Sequence, residues 1–447
     1  MKLFPINRTA PARFFSAPPR AADVVVIGGG IIGVMTAWFL AKAGVRVVLC
    51  EKGRIAGEQS GRNWGWIRKQ GRDPSELPIM IEALNIWRGL EAEAGADLGF
   101  REAGVLYLAN GPADMAQYEG WMAHARAHDL DTRLLSQAEV AAMLPNAAGW
   151  VGGIWTASDA RAEPWRAVPA LALAAEGFGA SLHEDCAVRA LDLAGGRVGG
   201  VVTEKGRIRA DRVVLAGGAW SALLARAHGV GLPQLSVRAT VTATAPLDFP
   251  FDGAAADSHF AFRKRHDGGL TLTLRALHEF FIGPDTFRHF RAFWPQIRKD
   301  RSSTRFLPMA PAGYPDAWGT PRRWDADGIS PFERMRILDP EPSAKAIEDI
   351  RARFAAAFPK LGRPAIAGAW AGMIEMMPDV VPVIDHAASL PGLTIATGLS
   401  GHGFGIGPGV GRVVADLVQG RKPGHDLTRF RLSRFTDGSR IVIGPSL

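Results

Sequence analysis

The sequence predicts an α/β fold in two interleaved units, one wound on a parallel sheet and one of α+β type. Three observations carry this. A short apolar run, Asp23-Val24-Val25-Val26-Ile27, leads into Gly28-Gly29-Gly30-Ile31-Ile32-Gly33, a helical pattern to Gly44, and a second apolar run at 45–50 that ends on Glu51. A second strand-like run, Arg212-Val213-Val214-Leu215, ends in Ala216-Gly217-Gly218-Ala219-Trp220. A third, at 393–397, runs into Gly398-Leu399-Ser400-Gly401-His402-Gly403-Phe404-Gly405-Ile406-Gly407-Pro408. Strands that end on glycine turns and feed helices are the signature of α/β architecture.

The first stretch is strand, glycine turn, helix, strand, acid, the order of a Rossmann-like dinucleotide-binding unit. Gly28 permits the tight turn, Gly30 lets the backbone approach a pyrophosphate, and Gly33 lets helix and strand pack closely. The helix then starts at Ile31 and Ile32 with free N–H groups facing the phosphates. Glu51 lies 18 residues beyond Gly33, near the spacing of an acid that holds ribose hydroxyls. The bland alternative is a core turn without a ligand, and the turn alone does not separate NAD from FAD.

Between the turns, residues 180–208 read as short strands around Gly195-Gly196. Residues 260–274 read as a hairpin around Asp267-Gly268-Gly269. Residues 281–294 are rich in aromatics, and 307–342 is irregular and proline-rich. The last glycine segment opens a helix to about residue 419, with Pro408 suited to its first position and Gly420 to the position just past its end. The expected organisation is an N-terminal arm (1–21), a nucleotide unit from 22–75, 156–235 and 363–425, a substrate unit from 76–155 and 236–362, and a C-terminal tail (426–447).

The 447 residues are 47% hydrophobic, enough for two or three structural units. Only two cysteines, Cys50 and Cys186, are present, which argues against a disulfide framework and excludes a cysteine zinc site. Their contexts suit buried thiols, and the histidines lack metal-ligand spacing, so no metal is expected. The net charge of +8 fits a basic surface without a specific partner or a field that draws in anionic substrates. No block of five cations occurs, so nucleic acid is not an expected partner. No apolar run reaches about 18 residues, so no integral membrane segment is expected. Residues 1–22 are basic, acid-free and interrupted by prolines, which reads as a loose arm rather than a secretory signal. Cytoplasmic residence follows by default, and a homo-oligomer stays open.

Three glycine turns favour a flavin, because an extended FAD must be approached by more than one loop. A reduced isoalloxazine carries negative charge at N1 and C2=O, which a helix N-terminus stabilises. The stretch Gly57-Glu58-Gln59-Ser60-Gly61-Arg62-Asn63-Trp64-Gly65-Trp66 adds polar donors, close-approach glycines and two tryptophans. The tryptophans either wall the ring or fill core.

On these motifs, together with 210–220, 370–382 and 396–408, the chain resembles the D-amino-acid oxidase superfamily. It resembles the bacterial branch that includes glycine oxidase, sarcosine oxidase and D-amino-acid dehydrogenase, with iminodiacetate oxidase also similar. The resemblance spans about residues 22–425. It implies a p-hydroxybenzoate-hydroxylase-like fold, FAD, and oxidation of a C–N bond by hydride transfer to flavin N5. The imine then hydrolyses to an oxo acid plus amine, and O2 is reduced to H2O2 or a respiratory acceptor takes the electrons. It places Gly28, Gly30 and Gly33 at the pyrophosphate, Glu51 at the ribose and Lys52 beside the adenine. It places Gln59, Ser60, Arg62, Asn63, Trp64, Gly65 and Trp66 along phosphate, ribityl and flavin. Val188 should meet the adenine. Ala216, Gly217, Gly218 and Trp220 should approach the cofactor, and Leu399, Gly401, His402, Gly403, Phe404, Gly405 and Ile406 should wrap the flavin.

Two departures bear on the substrate. Relatives of this kind often carry a carboxylate-binding arginine where this chain has Ile374, a few residues before Pro378-Asp379. A substrate carboxylate must then be held elsewhere, with Arg62, Arg68, Arg263, Arg275, His259 and His402 as candidates and Arg68 favoured. Trp66 and Met373 are expected to line the substrate, and Glu375 either meets an ammonium or is an ordinary satisfied carboxylate. The usual cysteine or histidine points of flavin attachment are also unmatched, so the FAD is expected to be non-covalent. His402 and Arg68 are the catalytic candidates; His402 is either a positive or hydrogen-bonding group near the flavin or a histidine satisfied by loop carbonyls. The expected substrate is a small amino acid or secondary amino acid (a D-amino acid, glycine, sarcosine or iminodiacetate). The alternatives are an amine oxidase without carboxylate recognition and a flavoprotein dehydrogenase or subunit that passes electrons to a protein or quinone.

Overall fold

The computed structural model describes residues 4–275, 278–299 and 304–444. The three glycine turns converge because their strands are neighbours. The sheet order is Val383–His386, Leu393–Thr397, Val213–Leu215, Val24–Ile27, Val47–Cys50, Ser181–His183. All pairings are parallel except the first, which is antiparallel. The central strands Val24–Ile27, Val47–Cys50 and Val213–Leu215 are uninterrupted, buried apolar runs because both faces are covered. The helices Ile31–Lys42 and Gly403–Val418 share one core with the sheet, including Val26, Met35, Val214 and Val410.

A ten-stranded mixed sheet forms the second layer system. Its centre is the long strand Leu235–Thr244, which pairs antiparallel with Leu270–Leu274, His278–Phe281 and Ile366–Met376. The hairpin expected around Asp267-Gly268-Gly269 joins Phe260–Lys264 to Leu270–Leu274, with Gly268 at φ +81°. The strands expected at 180–208 include an antiparallel trio, Val188–Ala194, Arg197–Thr203 and Gly206–Arg209.

Three expectations need correction. Strand Ile366–Met376, grouped by sequence with the nucleotide unit, pairs along Leu235–Thr244 in the large sheet. Residues 4–20 are not a loose arm: Phe4 and Phe14 are buried, and the Glu184 carboxylate accepts the N–H groups of Arg13 and Phe14. The expected C-terminal tail is likewise packed on the fold: Phe430 is fully buried and buried Arg434 pairs with Asp379 at 2.8 Å. Finally, the last helix starts at Gly403, so Pro408 lies inside it. The proline removes one backbone donor in the second turn. The other end behaves as expected: the helix stops at Val418, and Gly420 follows at φ +74°.

Candidate active site

Two helix N-termini open on one cavity. It is lined at the first turn by residues 28–32, at the second by 216–218 and at the third by Gly401, His402, Gly403 and Phe404. The first turn is held by side chains as well as by glycine geometry. Glu51 accepts the N–H groups of Gly29 and Gly53, each at 2.7 Å. Ser60 accepts the N–H of Ile31 at 2.9 Å, and a Cβ on Gly30 would meet that same hydroxyl. Burial raises the Glu51 carboxyl to about 7, with Lys52 and the two backbone donors pulling the other way.

Gln59, Ser60, Arg62, Asn63, Trp64 and Trp66 all line the cavity. Trp64 and Trp66 meet edge to face with ring centres 5.6 Å apart. Arg62 is committed to structure: it pairs with Asp339 at 2.6 Å and lies over the Phe4 ring at 4.6 Å. Lys52, Val188 and Trp220 also face the cavity. Lys52 bonds Glu58 and sits 4.4 Å over the Trp220 ring. Glu58 in turn accepts Trp220 Nε1 at 3.1 Å and the N–H of Leu338 at 2.9 Å, which ties 335–338 over the turn.

A cationic group forms the other part of the cavity. Arg68, Arg72, Arg275, Tyr107, His278 and His402 all line it. Arg72 is fixed by Glu76 at 2.9 Å and donates to the backbone carbonyl of His402 at 2.9 Å. Both ring nitrogens of His402 lack a partner among the described residues. The ring is therefore not satisfied by loop carbonyls. Burial, reinforced by Arg68, Arg72 and Arg275, holds it well below the ordinary histidine range, so it is neutral rather than positive. Glu375 accepts the N–H of Leu399 at 3.3 Å, and its Oε2 has no described partner. Burial raises it to about 7.

Several predicted residues lie away from the cavity. Arg263 is fully buried in a bidentate pair with Glu163, at 2.8 and 3.0 Å, and is a structural ion pair rather than a substrate contact. Burial opposes the Glu163 charge, but Arg263 outweighs it and the pKa is lowered. His259 is exposed outside the cavity. Met373 points to the opposite face from its strand neighbours Gly372 and Ile374, which do line the cavity, and joins a core cluster with Phe281. Gly33, Gly65, Gly405 and Ile406 serve packing. Cβ atoms on the three glycines would lie 1.9 Å from the Gly28 carbonyl, 2.3 Å from that of Ala162 and 2.9 Å from that of Trp66. Ile406 is core.

Sequence reasoning passed over Tyr107, Arg72, His278, Thr397 and Phe332 and gave Glu58 no role. Tyr107 and His278 come from the large sheet, where no local motif marks them. Glu58 and Arg72 had a readable signal, being polar residues within and just beyond the quoted 57–66 stretch.

The cavity fits an extended dinucleotide. Gly30 caps the first helix with backbone only, and the second helix begins at the neutral His402 with no side-chain cap. Unpartnered polar atoms on His402 and Glu375 await a ligand between these ends. Comparison with known proteins agrees. The model of the FAD dependent oxidoreductase family matches residues 23–417. Glycine oxidase from Pseudomonas aeruginosa is 26% identical over 90% of this chain and 95% of its own length. Mitochondrial sarcosine dehydrogenase from Mus musculus is also 26% identical, but the chain spans only 43% of that protein, and similarly less than half of several other curated relatives. Among solved structures, L-amino acid deaminase from Proteus myxofaciens in complex with anthranilate has a TM-score of 0.89 and 31% identity, covering 95% of this chain and 97% of that one. The chain thus belongs to the FAD dependent oxidoreductase family, and its cofactor is FAD, held non-covalently.

Proposed function

We propose that this protein oxidises the C–N bond of an amino or imino acid that carries a carboxylate. When bound, FAD supplies the hydride acceptor. The chain's own residues supply position and field. Arg275 and Arg68 flank the Tyr107 ring in the same cavity as His402, and this cationic pair is the observation that carries the proposal. It offers charge-assisted donors for a carboxylate without an arginine at position 374. The absence of that arginine therefore gives no reason to prefer secondary amines. The amine must arrive neutral to release a hydride, and a site rich in guanidinium charge favours the neutral form. The imine then leaves to hydrolyse in water. The Proteus deaminase was solved with anthranilate, itself a carboxylate, which supports the same reading.

Oxidation of an amine without a carboxylate fits less well. Its grip would be Glu375, but burial raises that group to about 7, which leaves it a weak anion. The two-unit organisation supports a p-hydroxybenzoate-hydroxylase-like fold, and the similarity to glycine oxidase supports O2 as the electron acceptor. An anaerobic screen of D- and L-amino acids, N-methyl amino acids and simple amines for loss of flavin absorbance tests the function. Bleaching by carboxylate-bearing substrates is expected; bleaching by simple amines alone, or by nothing, overturns the proposal. Peroxide release on readmitting air distinguishes O2 from another acceptor.

A further inference from the structure

A second cavity, of about 390 Å³, adjoins the first and shares Arg275 and His278 with it. Its character is different. Leu235 and Val237 from the central strand, Phe280 beside it, Phe293 and Ile297 from the helix Phe290–Lys299, and Met376 surround an apolar space. The same side chains belong to a separate hydrophobic cluster, and the lining continues to the exposed Phe287, Phe290 and Phe306, where the cavity opens to solvent. An apolar cavity of about 150 Å³ already accommodates a benzene ring. This one is more than twice that size, and apolar pockets with a few placed polar groups are the usual form of ligand sites.

We propose that the second cavity receives the side chain of the substrate, which is a large apolar or aromatic amino acid rather than a small one. The inference rests on the carboxylate-anchoring role given above to Arg275. An α-amino acid carries its carboxylate and side chain on one carbon. An anchor on the boundary of both cavities lets the Cα–N bond face the FAD cavity while the side chain enters the apolar one. A small substrate would leave about 390 Å³ of largely apolar space unfilled and its walls in contact with water. A large one removes that surface from water, at about 25 cal/mol for each Å².

The test uses non-reacting acids on the FAD-loaded protein, so it does not depend on turnover. Propanoate and 3-phenylpropanoate are titrated while the flavin absorbance spectrum is followed. The longer acid is expected to bind at least ~10-fold more tightly. Val237→Phe, which fills the cavity from the sheet, and Ile297→Trp, which fills it from the helix, are each expected to bring the ratio of the two affinities towards one. Flavin content and circular dichroism confirm that the variants are folded, and the two substitutions approach from different elements, so one failure to fold leaves the other. Equal affinities in the parent protein, or a ratio untouched by a folded variant, overturn the proposal. An untouched ratio with slowed reduction of a soluble quinone would assign the cavity to the electron acceptor and overturn it as well. A clear ratio without bleaching by any amine would retain the side-chain cavity and reject C–N oxidation.

Discussion

The guanidinium of Arg275 lies 4.6 Å from the centre of the Tyr107 ring, and Arg68 approaches the same ring at 5.7 Å. The aromatic face attracts both cations and keeps them from separating into solvent. Both cations are thereby held beside one cavity, close enough to feel each other, while Arg68 also donates to the Gln70 carbonyl and Arg275 to that of Asp257. Arg68 records this: burial, with Arg72 and Arg275 adding to it, lowers its pKa.

Arg275→Ala should therefore weaken binding of propanoate or of a reducing amino acid. Loss of a charge-assisted hydrogen bond corresponds to about 1.5–3 kcal/mol, roughly 10- to 150-fold in affinity. Arg275→Lys should recover part of this, because it keeps charge but not the planar fork. Steady-state KM and spectral titration both read it; an unchanged KM in Arg275→Ala would remove this residue from substrate binding.

Arg263 should behave in the opposite way. Its removal leaves Glu163 buried without its cation, a change of about 3–5 kcal/mol. Arg263→Ala should lower the denaturation midpoint strongly. In whatever fraction stays folded, KM should be close to the parent value. A large KM change at unaltered stability would return Arg263 to the site.

His402 gives a pH signature. Its native pKa is depressed by burial first and by three arginines second. The unfolded chain then binds the proton more readily than the native one. The stability contributed by neutral His402 is complete above the ordinary histidine range and is lost as pH falls below it, with a slope of at most about 1.4 kcal/mol per pH unit. His402→Gln should flatten urea-denaturation stability between pH 5 and 7, to the extent of this one group. The same steepness in the variant would show that His402 does not titrate in this way.

Glu51 works with the reverse sign. Its pKa is raised to about 7, so the apoprotein is favoured below the ordinary carboxylate range and loses that contribution as pH rises towards 7. Glu51→Gln should make apoprotein stability less sensitive across that window. It should also weaken FAD by about 10-fold or more, since one acceptor at the Gly29 turn becomes a donor. Fluorescence titration of apoprotein with FAD measures the second effect; an unaltered affinity would place Glu51 in turn geometry alone.

The strand–turn–helix geometry at the first glycine turn was legible because its information is local. Gly28, Gly30, Gly33 and Glu51 are set by one strand, one helix and the next strand. The cationic side of the cavity was legible only in part: Arg68 and Arg275 were among the expected residues, whereas Tyr107 and His278 arrive from separate strands of the large sheet. Tyr107, Arg275 and His278 come together only when the ten-stranded sheet forms, and no spacing along the chain announces that. Met373 and Ile374 show the finer limit. One residue of register decides which of them faces the cavity, and the strand's register is fixed by pairing with 235–244, far away in sequence. The arm at 4–20 was misread for a related reason: its prolines suggested looseness, whereas Glu184 and the buried Phe4 and Phe14 hold it.

The glycines of the first turn separate folding from cofactor binding. A Cβ on Gly33 would lie 1.9 Å from the Gly28 carbonyl, a backbone atom that cannot move without breaking the turn. A Cβ on Gly28 would lie 2.4 Å from the Ala216 carbonyl, and its φ of +111° is hostile to any side chain. Gly30 differs: its nearest neighbour is the Ser60 hydroxyl at 2.9 Å, a side-chain atom that can rotate. Its φ of −75° suits alanine. Gly30→Ala should therefore fold, with a thermal midpoint within a few degrees of the parent, while its methyl occupies space at the N-terminus of the Ile31–Lys42 helix and lowers FAD affinity by at least ~10-fold. Gly33→Ala should yield little soluble protein at all. Measuring soluble yield, thermal midpoint and FAD affinity on both variants distinguishes a turn that binds phosphate from one that only packs: Gly30→Ala with full FAD affinity would leave the turn a packing device, whatever happens to Gly33→Ala.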